Sequence, residues 1–212
     1  MANSYAISGV EISDSAPAYV IAEIGHNHAG VLEKAIQMVQ TAKDNGASAV
    51  KFQTRTPSEV YSVDEFNRQT DNPQWMDPTY GIHREKLEFS PAEWKELLEA
   101  CKDIGITAFS TPFDHKSADL LASLDVPAFK VASGDATNIP LIKHIASFNK
   151  PMIISTGGSS IEEVDRIHET MSATGTPFSL IQCSCIYPAP AEVLNLRVIS
   201  TYRERYPDVP TG

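Results

Sequence analysis

Short apolar, β-branched segments alternate along the chain with longer amphipathic segments. The short segments predict six strands, and the amphipathic segments, whose apolar residues recur at helical spacing, predict the helices between them. The predicted strands are Ala18–Ile24, Ser48–Thr54, Thr107–Phe113, Ala128–Ser133, Pro151–Gly157 and Phe178–Ser184. The predicted helices are Leu32–Gly46, Ser90–Gly105, Lys116–Leu124, Ile139–Ser147, Ser160–Ala173 and about Val193–Arg205.

The spacing of these elements indicates the fold class. Most predicted strands follow one another at roughly 25 residues, the size of one βα unit in a (β/α)8 barrel. The exception is a long polar segment over 55–88, and a loop of that length beside a barrel strand is typical of a functional element. The sequence therefore predicts an α/β protein of the TIM-barrel type, with about six of the eight βα units over 18–212 and an N-terminal extension over 1–17. An open doubly wound sheet is the alternative, but no glycine-rich dinucleotide fingerprint follows the first strand.

Composition excludes several classes of partner. The formal net charge is −10, which opposes general binding to nucleic acids or anionic membranes because phosphate surfaces attract a basic face. No apolar run approaches the ~20 residues of a membrane helix, and the N-terminus does not resemble a signal peptide. The three cysteines, Cys101, Cys183 and Cys185, have no framework spacing, which indicates a reducing cytoplasm.

Two lysines stand near the ends of predicted strands. Lys51 precedes Gln53 in the second strand, and Lys130 precedes Ser133 in the fourth. A lysine in a buried strand is costly unless it meets an anion or carries out covalent chemistry. Because the carboxyl ends of barrel strands meet at one mouth, the two lysines and nearby hydroxyls predict a site for phosphate and carboxylate groups. The alternative is that the lysines form structural ion pairs with acidic neighbours.

Two acidic residues, Glu23 and Asp135, are expected at the same mouth. They are candidates for hydrogen bonds to sugar hydroxyls or for acid–base catalysis. Balancing the charge of the lysines is the equally simple alternative.

A His-x-His pair, His26 and His28, follows the first strand and raises the hypothesis of a metal-dependent hydrolase barrel. Such a barrel also needs histidines at the ends of strands five and six. Those ends read Ser155-Thr156-Gly157 and Cys183-Ser184-Cys185, so loop hydrogen bonding is the favoured role of the pair. A two-cysteine metal site lacks partners, and lining of a pocket is expected instead.

Seven blocks of sequence, taken together and in order, resemble the sialic acid synthase family. They are "IAEIGHNHAG", "GASAVKFQT", "HREKLEFS", "FSTPFD", "FKVASGDATNIPLI", "IISTGG" and "IQCSCIYPAPAEVLNLRVI". The resemblance implies a (β/α)8 barrel usually followed by a small antifreeze-like domain. It also implies an enzyme that condenses phosphoenolpyruvate with N-acetylmannosamine, its 6-phosphate or a related amino sugar, and that releases phosphate with help from Mn²⁺ or Mg²⁺.

The resemblance also assigns roles to individual residues. The implied phosphoenolpyruvate contacts are Lys51, Thr111, Lys130, Ser133, Ser155 and, with reservation, Cys185. The implied sugar contacts are Glu23, Gln53, Asp135 and Tyr187, with Glu23 and Asp135 as the catalytic carboxylates. Two positions depart from the family pattern. Cys185 stands where members typically carry Asn or Ser, and Asp135 stands where many bacterial members carry Glu.

The metal ligands implied by the resemblance are two histidines after a "YSDH"-like block, which this sequence does not contain before Gly212. No metal is therefore expected in this chain alone. The antifreeze-like domain, which caps the partner's active site in the family's homodimer, is also missing. We expect the 212-residue chain by itself to be inactive. A non-catalytic fragment that keeps an anion pocket is the alternative function.

Overall fold

The computed structural model describes residues 4–69 and 77–212. The strands are β1 (Ser4–Ile7), β2 (Val10–Ser13), β3 (Ile21–Gly25), β4 (Ala49–Thr54), β5 (Thr107–Pro112), β6 (Phe129–Val131), β7 (Met152–Ser155) and β8 (Phe178–Ile181). The helices are α1 (Leu32–Asp44), α2 (Pro57–Val60), α3 (Val63–Phe66), α4 (Tyr80–Glu85), α5 (Pro91–Ile104), α6 (His115–Ser123), α7 (Ile139–Ala146), α8 (Ile161–Thr174) and α9 (Val198–Arg205). In the part of the chain described, no helix has the length and apolar character needed to cross a bilayer.

The chain divides into two compact units. The middle unit is Tyr19–Val126, and the terminal unit combines the residues up to Ala18 with Pro127–Gly212.

The middle unit is built on three parallel strands in the order β3-β4-β5. Glu23 of β3 is in register with Lys51 of β4, and Gln53 of β4 is in register with Thr111 of β5. Alternate residues of a strand face the same side, so Lys51 and Gln53 share a face. The buried core beneath them includes Phe52, Phe109, Trp94 and Leu97.

The terminal unit is built on the parallel strands β6, β7 and β8. Lys130 of β6 is in register with Ile153 of β7. Its core is aliphatic and includes Ile142, Ile145, Ile154 and Leu180. The antiparallel hairpin β1–β2 belongs to this unit, and the hydroxyl groups of Tyr5 and Ser179 are in contact. The N-terminal extension is therefore a hairpin, which the sequence pattern did not predict.

Two long helices, α5 and α8, begin with the same arrangement of hydrogen bonds. Ser90 accepts a hydrogen bond from the Glu93 amide, and the Glu93 carboxylate accepts one from the Ser90 amide at 2.8 Å. Ser90 followed by Pro91 and, three residues after the cap, Glu93 is the sequence signature of such a capping box, and Pro91 lies in the first turn. Ser160 and Glu163 form the same arrangement at α8.

Several predicted boundaries were wrong at the carboxyl ends of strands. The strand predicted over Ala128–Ser133 ends at Val131, and Ser133 belongs to a short 3₁₀ turn (Ser133–Asp135). The strand predicted over Phe178–Ser184 ends at Ile181, and beyond it the Ser184 hydroxyl donates to the Val193 carbonyl (2.7 Å). Cys183 and Cys185 consequently follow β8 and do not share a strand face.

The last helix begins at Val198, after the 3₁₀ turn Ala191–Val193, which is later than predicted. The long polar segment over 55–88 holds α2, α3 and α4, so its described part is more ordered than a simple loop. Residues 70–76 of that segment, "TDNPQWM", lie outside the described residues.

Candidate functional site

Four of the predicted site residues lie together in the middle unit. The Lys51 ammonium forms an ion pair with the Glu23 carboxylate and lies 3.4 Å from the Thr111 hydroxyl. The side chain of Lys51 is 11% exposed, whereas that of Glu23 is 46% exposed. In the structure, Lys51 therefore forms an ion pair with an acidic neighbour, Glu23, which remains accessible to solvent.

A glycine brings the fourth member, Gln53, next to this pair. Gly25 has φ +55°, and a Cβ placed on it would lie 3.1 Å from Glu23 Oε1 and 3.6 Å from Gln53 Nε2. Only glycine adopts this backbone conformation freely and leaves room for both side chains. Glu23, Lys51, Gln53 and Thr111 therefore form one polar surface at the carboxyl ends of β3, β4 and β5.

Beyond Gln53 lies a group that we call the arginine cluster, comprising His26, Arg55, Arg84 and Glu88. Arg55 Nη2 donates to Gln53 Oε1 at 2.8 Å, and Arg55 Nη1 donates to His26 Nδ1 at 3.1 Å. Arg84 Nη2 lies 3.2 Å from the same His26 nitrogen. Sequence reasoning missed this cluster. The available signal was the i, i+2, i+4 spacing of Lys51, Gln53 and Arg55, which places all three on one face.

The two histidines of the His-x-His motif have separate roles. His28 is 1% exposed, its Nδ1 accepts a hydrogen bond from the Gly30 amide at 3.1 Å, and its ring stacks on Phe89. Burial, the largest cause, lowers the pKa of His28 to about 4, so its imidazole is neutral at pH 7. This histidine is part of the core.

The metal hypothesis for the motif finds no support in this geometry. His26 Nδ1 already receives two guanidinium groups, whose positive charge repels a cation. The His26 and His28 ring centroids are 5.8 Å apart. Among residues 4–69 and 77–212, no three His, Cys, Asp or Glu side chains are grouped as metal ligands.

A second polar group lies in the terminal unit. The Lys130 ammonium donates to the Ser155 hydroxyl and to the Val131 carbonyl, both at 2.6 Å, and Lys130 is only 9% exposed. A buried ammonium is costly, and a negatively charged ligand would help to offset that cost.

Gly157 draws two further predicted residues together. Its amide donates to the Ser133 hydroxyl at 3.0 Å. A Cβ on Gly157 would lie 2.6 Å from Cys185 Sγ and 2.9 Å from Ser133 Oγ, so any larger residue would collide with both. Cys185 also lines an open cavity of ≈ 570 Å³ together with Gly158 and Ser159. Backbone amides, hydroxyl groups and a thiol at this place are suitable neighbours for an anion.

The remaining predicted residues of the terminal unit are less enclosed. Asp135 lies in the 3₁₀ turn after β6, where it accepts a hydrogen bond from Asn138 Nδ2 at 3.2 Å. Tyr187 is 91% exposed. Thr156, by contrast, is structural, since its hydroxyl bonds the Ile181 carbonyl and the Tyr202 hydroxyl.

Comparison with known proteins identifies the family of the chain. Residues 38–212 match the NeuB family. The chain belongs to the NeuB family. It is 36% identical to N-acetylneuraminate-9-phosphate synthase of Mus musculus over 196 residues, which are 92% of this chain and 55% of the mouse protein. It is 34% identical to N,N'-diacetyllegionaminic acid synthase of Legionella pneumophila, covering 100% of this chain and 61% of that protein. The chain spans about half the length of the curated relatives it matches.

Solved structures confirm the fold class of this NeuB family chain. The N-acetylneuraminic acid synthetase of Leptospira borgpetersenii, solved with citrate, superposes with a TM-score of 0.87 at 28% identity, covering 100% of this chain and 70% of that one. A truncated 3-deoxy-D-arabino-heptulosonate 7-phosphate synthase of Thermotoga maritima gives a TM-score of 0.66 at 14% identity and supports the fold alone. The predicted α/β class, part of a (β/α)8 barrel, is confirmed, as is the resemblance to sialic acid synthases.

Proposed function

We propose that the protein to which this chain contributes is a nonulosonate synthase. It joins phosphoenolpyruvate to the open-chain aldehyde of N-acetylmannosamine, its 6-phosphate or a related amino sugar. The proposal is supported by membership of the NeuB family and by relatives named as synthases of N-acetylneuraminate 9-phosphate, legionaminic acid and pseudaminic acid.

The reaction consumes one water and releases one phosphate. C3 of phosphoenolpyruvate attacks the aldehyde carbon, which forms the new carbon–carbon bond while the aldehyde oxygen takes a proton. Water adds to C2 of the enolpyruvyl group and gives up a proton. The C2–O bond to phosphate then breaks, which leaves a 2-keto acid and inorganic phosphate. The chain must therefore bind two anionic groups of one substrate and manage protons on the other.

Lys130 is the residue on which the proposal chiefly depends. Its ammonium is held in the interior by Ser155 and by the Val131 carbonyl, with Ser133 and the Gly157 amide nearby in the same unit. We assign the phosphoenolpyruvate phosphate to this group of donors, with Cys185 beside it. Lysine is a common phosphate binder, and the buried position makes its charge more effective.

Lys51 and its neighbours receive the remaining roles. Lys51 exchanges Glu23 for a substrate anion, with Thr111 as a second donor. Glu23 and Asp135 then act as the acid–base carboxylates and, with Gln53 and Tyr187, bind the hydroxyl and amide groups of the sugar. The exposure of Glu23 supports its release from the ion pair.

The proposal also includes a divalent cation, Mn²⁺ or Mg²⁺, which would polarise the aldehyde oxygen. The residues described do not fit such a cation, because they gather no set of three ligands. A homodimer in the reducing cytoplasm completes the proposal, on the strength of the family resemblance and the free cysteines.

Calorimetric titration of the 212-residue chain with phosphoenolpyruvate tests the anion site. We expect binding that the double variant Lys51→Met/Lys130→Met weakens by at least about 100-fold, since each lysine supplies a charge-assisted hydrogen bond. Lys95→Met, which removes an exposed lysine of α5, is the matched control and leaves the affinity unchanged. Absence of binding, or binding that the double variant retains, contradicts the proposal.

Phosphate release decides between catalysis and binding alone. The chain is mixed with phosphoenolpyruvate, N-acetylmannosamine and Mn²⁺, and inorganic phosphate is measured. Binding without release would mean that the residues of this chain supply the anion site but not the whole reaction, which is the outcome we expect.

A further inference from the structure

Two guanidinium groups of the arginine cluster share a single acceptor. His26 Nδ1 has one lone pair, yet both Arg55 Nη1 and Arg84 Nη2 point to it, at 3.1 and 3.2 Å. That nitrogen must be unprotonated to accept at all, and one lone pair cannot serve two donors well. Among the described residues, Arg84 Nε is buried and has no hydrogen-bond partner. Glu88 Oε1 is also buried without a hydrogen-bond partner among the described residues, so the unmet donor belongs specifically to Arg84.

Arg55 is rigidly held, which makes it a suitable wall for a ligand site. Its guanidinium group lies 3.8 Å from the centre of the Phe113 ring and donates to Gln53. Its backbone amide donates to Glu88 Oε2 at 2.9 Å. A guanidinium that is already oriented loses little freedom when a ligand binds.

The charge balance of the cluster is positive. The four residues of the cluster include two guanidinium groups and one carboxylate, that of Glu88, which lies 3.0 Å from His26 Nε2 and accepts a hydrogen bond from the Arg55 amide. Burial, and then the charge of Arg84, lowers the pKa of Arg55, which shows that the two cations repel each other in a partly dry environment. An added anion would relieve both effects.

Two phenol groups extend the set of donors. The rings of Tyr61 and Tyr80 are in edge contact, and the Tyr80 hydroxyl lies 3.5 Å from that of Tyr61. Burial raises the pKa of Tyr61, while the charges of Arg84 and Arg55 act in the opposite direction, so these groups are neighbours. Guanidinium and phenol donors in one place match the several acceptor oxygens of a phosphate group.

We propose that Arg55 and Arg84 bind the phosphate group of a phosphorylated acceptor sugar. The inference rests on the proposed function, because Gln53, which Arg55 contacts, belongs to the assigned sugar site. An acceptor sugar lying along Glu23 and Gln53 would present its far end to the cluster. Relatives named as N-acetylneuraminate-9-phosphate synthases make a phosphorylated product, which agrees with this substrate class.

The test compares N-acetylmannosamine 6-phosphate with N-acetylmannosamine as ligands of the 212-residue chain, titrated in the presence of saturating phosphoenolpyruvate. We expect the phosphorylated sugar to bind at least about 10-fold more tightly, the effect of one or two charge-assisted hydrogen bonds. Arg84→Met should abolish that difference and leave the affinity for the unphosphorylated sugar unchanged. Arg166→Met, an exposed arginine of α8, is the matched control and should preserve the difference.

The outcomes separate this inference from the proposed function. If phosphoenolpyruvate binds as proposed but the two sugars bind equally, or Arg84→Met leaves their difference intact, the inference is overturned and the proposed function stands. If Arg84→Met weakens phosphoenolpyruvate itself, the cluster serves the other substrate and the inference is again overturned. If phosphoenolpyruvate does not bind at all, the proposed function fails first.

A second variant guards against loss of structure. Arg84→Lys keeps the charge but has fewer donors, so we expect it to retain part of the preference for phosphate. Circular dichroism and thermal unfolding of both variants check that the chain remains folded. A folded Arg84→Lys chain with no preference, beside a wild type that has one, would still support a role for the guanidinium donors.

Discussion

The middle and terminal units each place one lysine in a parallel strand, but they stabilise its charge differently. Lys51 is paired with the carboxylate of Glu23, whereas Lys130 donates to two uncharged oxygens, those of Val131 and Ser155. Glu23 is about half exposed, and Lys130 is nearly buried. The ammonium of Lys51 thus faces an acid that is accessible to solvent, whereas that of Lys130 is enclosed beside the Ser155 hydroxyl and the Val131 carbonyl. The difference predicts unequal contributions to anion binding.

The largest effect is expected for Lys130→Met. Because the ammonium of Lys130 is preoriented and poorly solvated, a ligand anion gains the full strength of a charge-assisted bond there. We expect the affinity for phosphoenolpyruvate to fall by about 100-fold in a calorimetric titration. A fall no larger than that of an exposed control, Lys95→Met, would remove the basis of the comparison.

Lys51→Met is expected to cost less, about 10-fold in the same titration. The reason is that a ligand must displace Glu23 from Lys51, so part of the gain is spent on breaking an existing ion pair. Glu23→Gln sharpens the test, because it releases Lys51 and should strengthen phosphoenolpyruvate binding slightly. Weaker binding in Glu23→Gln would mean that the ion pair positions Lys51 rather than competes for it.

Much of this contrast could not be read from the sequence, although the strands that carry it could. Alternation of apolar residues and the signals at Ser90 located the principal elements, since these depend on neighbours along the chain. The sequence leaves the pairing of Lys51 with an acidic neighbour as one of two alternatives, because the position at a strand end does not determine which group a long side chain contacts. Strand register, with Glu23 opposite Lys51, decides it.

The contact between Arg84 and His26 and the N-terminal hairpin were beyond sequence reasoning for different reasons. Arg84 meets His26 across 58 positions of the chain, and no local pattern encodes such a contact. The strands of the hairpin have four residues each, too few to show a convincing alternation. The first gap concerns a tertiary contact, and the second concerns a local element too short to leave a recognisable pattern.

The two units should also differ, by a smaller amount, in how the free energy of unfolding changes with pH. His28 of the middle unit has its pKa lowered to about 4, chiefly by burial, whereas in the unfolded chain it titrates near its ordinary value of 6.5. Between these values the unfolded chain binds a proton that the folded chain does not, so the free energy of unfolding should fall as the pH falls from 6.5 to 4. Urea unfolding at several pH values measures this, and His28→Gln should flatten the dependence.

Asp165 of the terminal unit supplies the control. Hydrogen bonds from Arg205 and then Tyr206 lower the pKa of Asp165 to about 2. An acid whose pKa is lower in the folded chain stabilises the fold at any pH above its pKa in the unfolded chain. That stabilisation is lost as the pH falls to the pKa in the folded chain. Asp165 therefore remains charged in the folded chain from pH 6.5 to 4. Asp165→Asn should therefore lower the free energy of unfolding almost evenly over that range. An acid dependence that His28→Gln leaves intact would disprove the assignment to His28.

The smallest expected difference lies between the two capping boxes, where the units are most alike. Ser90 and Ser160 accept the same hydrogen bond at the start of α5 and α8, both at 3.3 Å, so Ser90→Ala and Ser160→Ala should each lower the free energy of unfolding of their unit by about 1 kcal/mol. Ser172→Ala, at an exposed position inside α8, is the control, since alanine is the better helix former there. Urea unfolding of the three variants measures the effects. Equal losses at the two caps would show that the units differ in how they hold charge and not in how they build helices. A loss confined to one cap would instead mean that the contrast between the lysines is part of a broader difference in local stability.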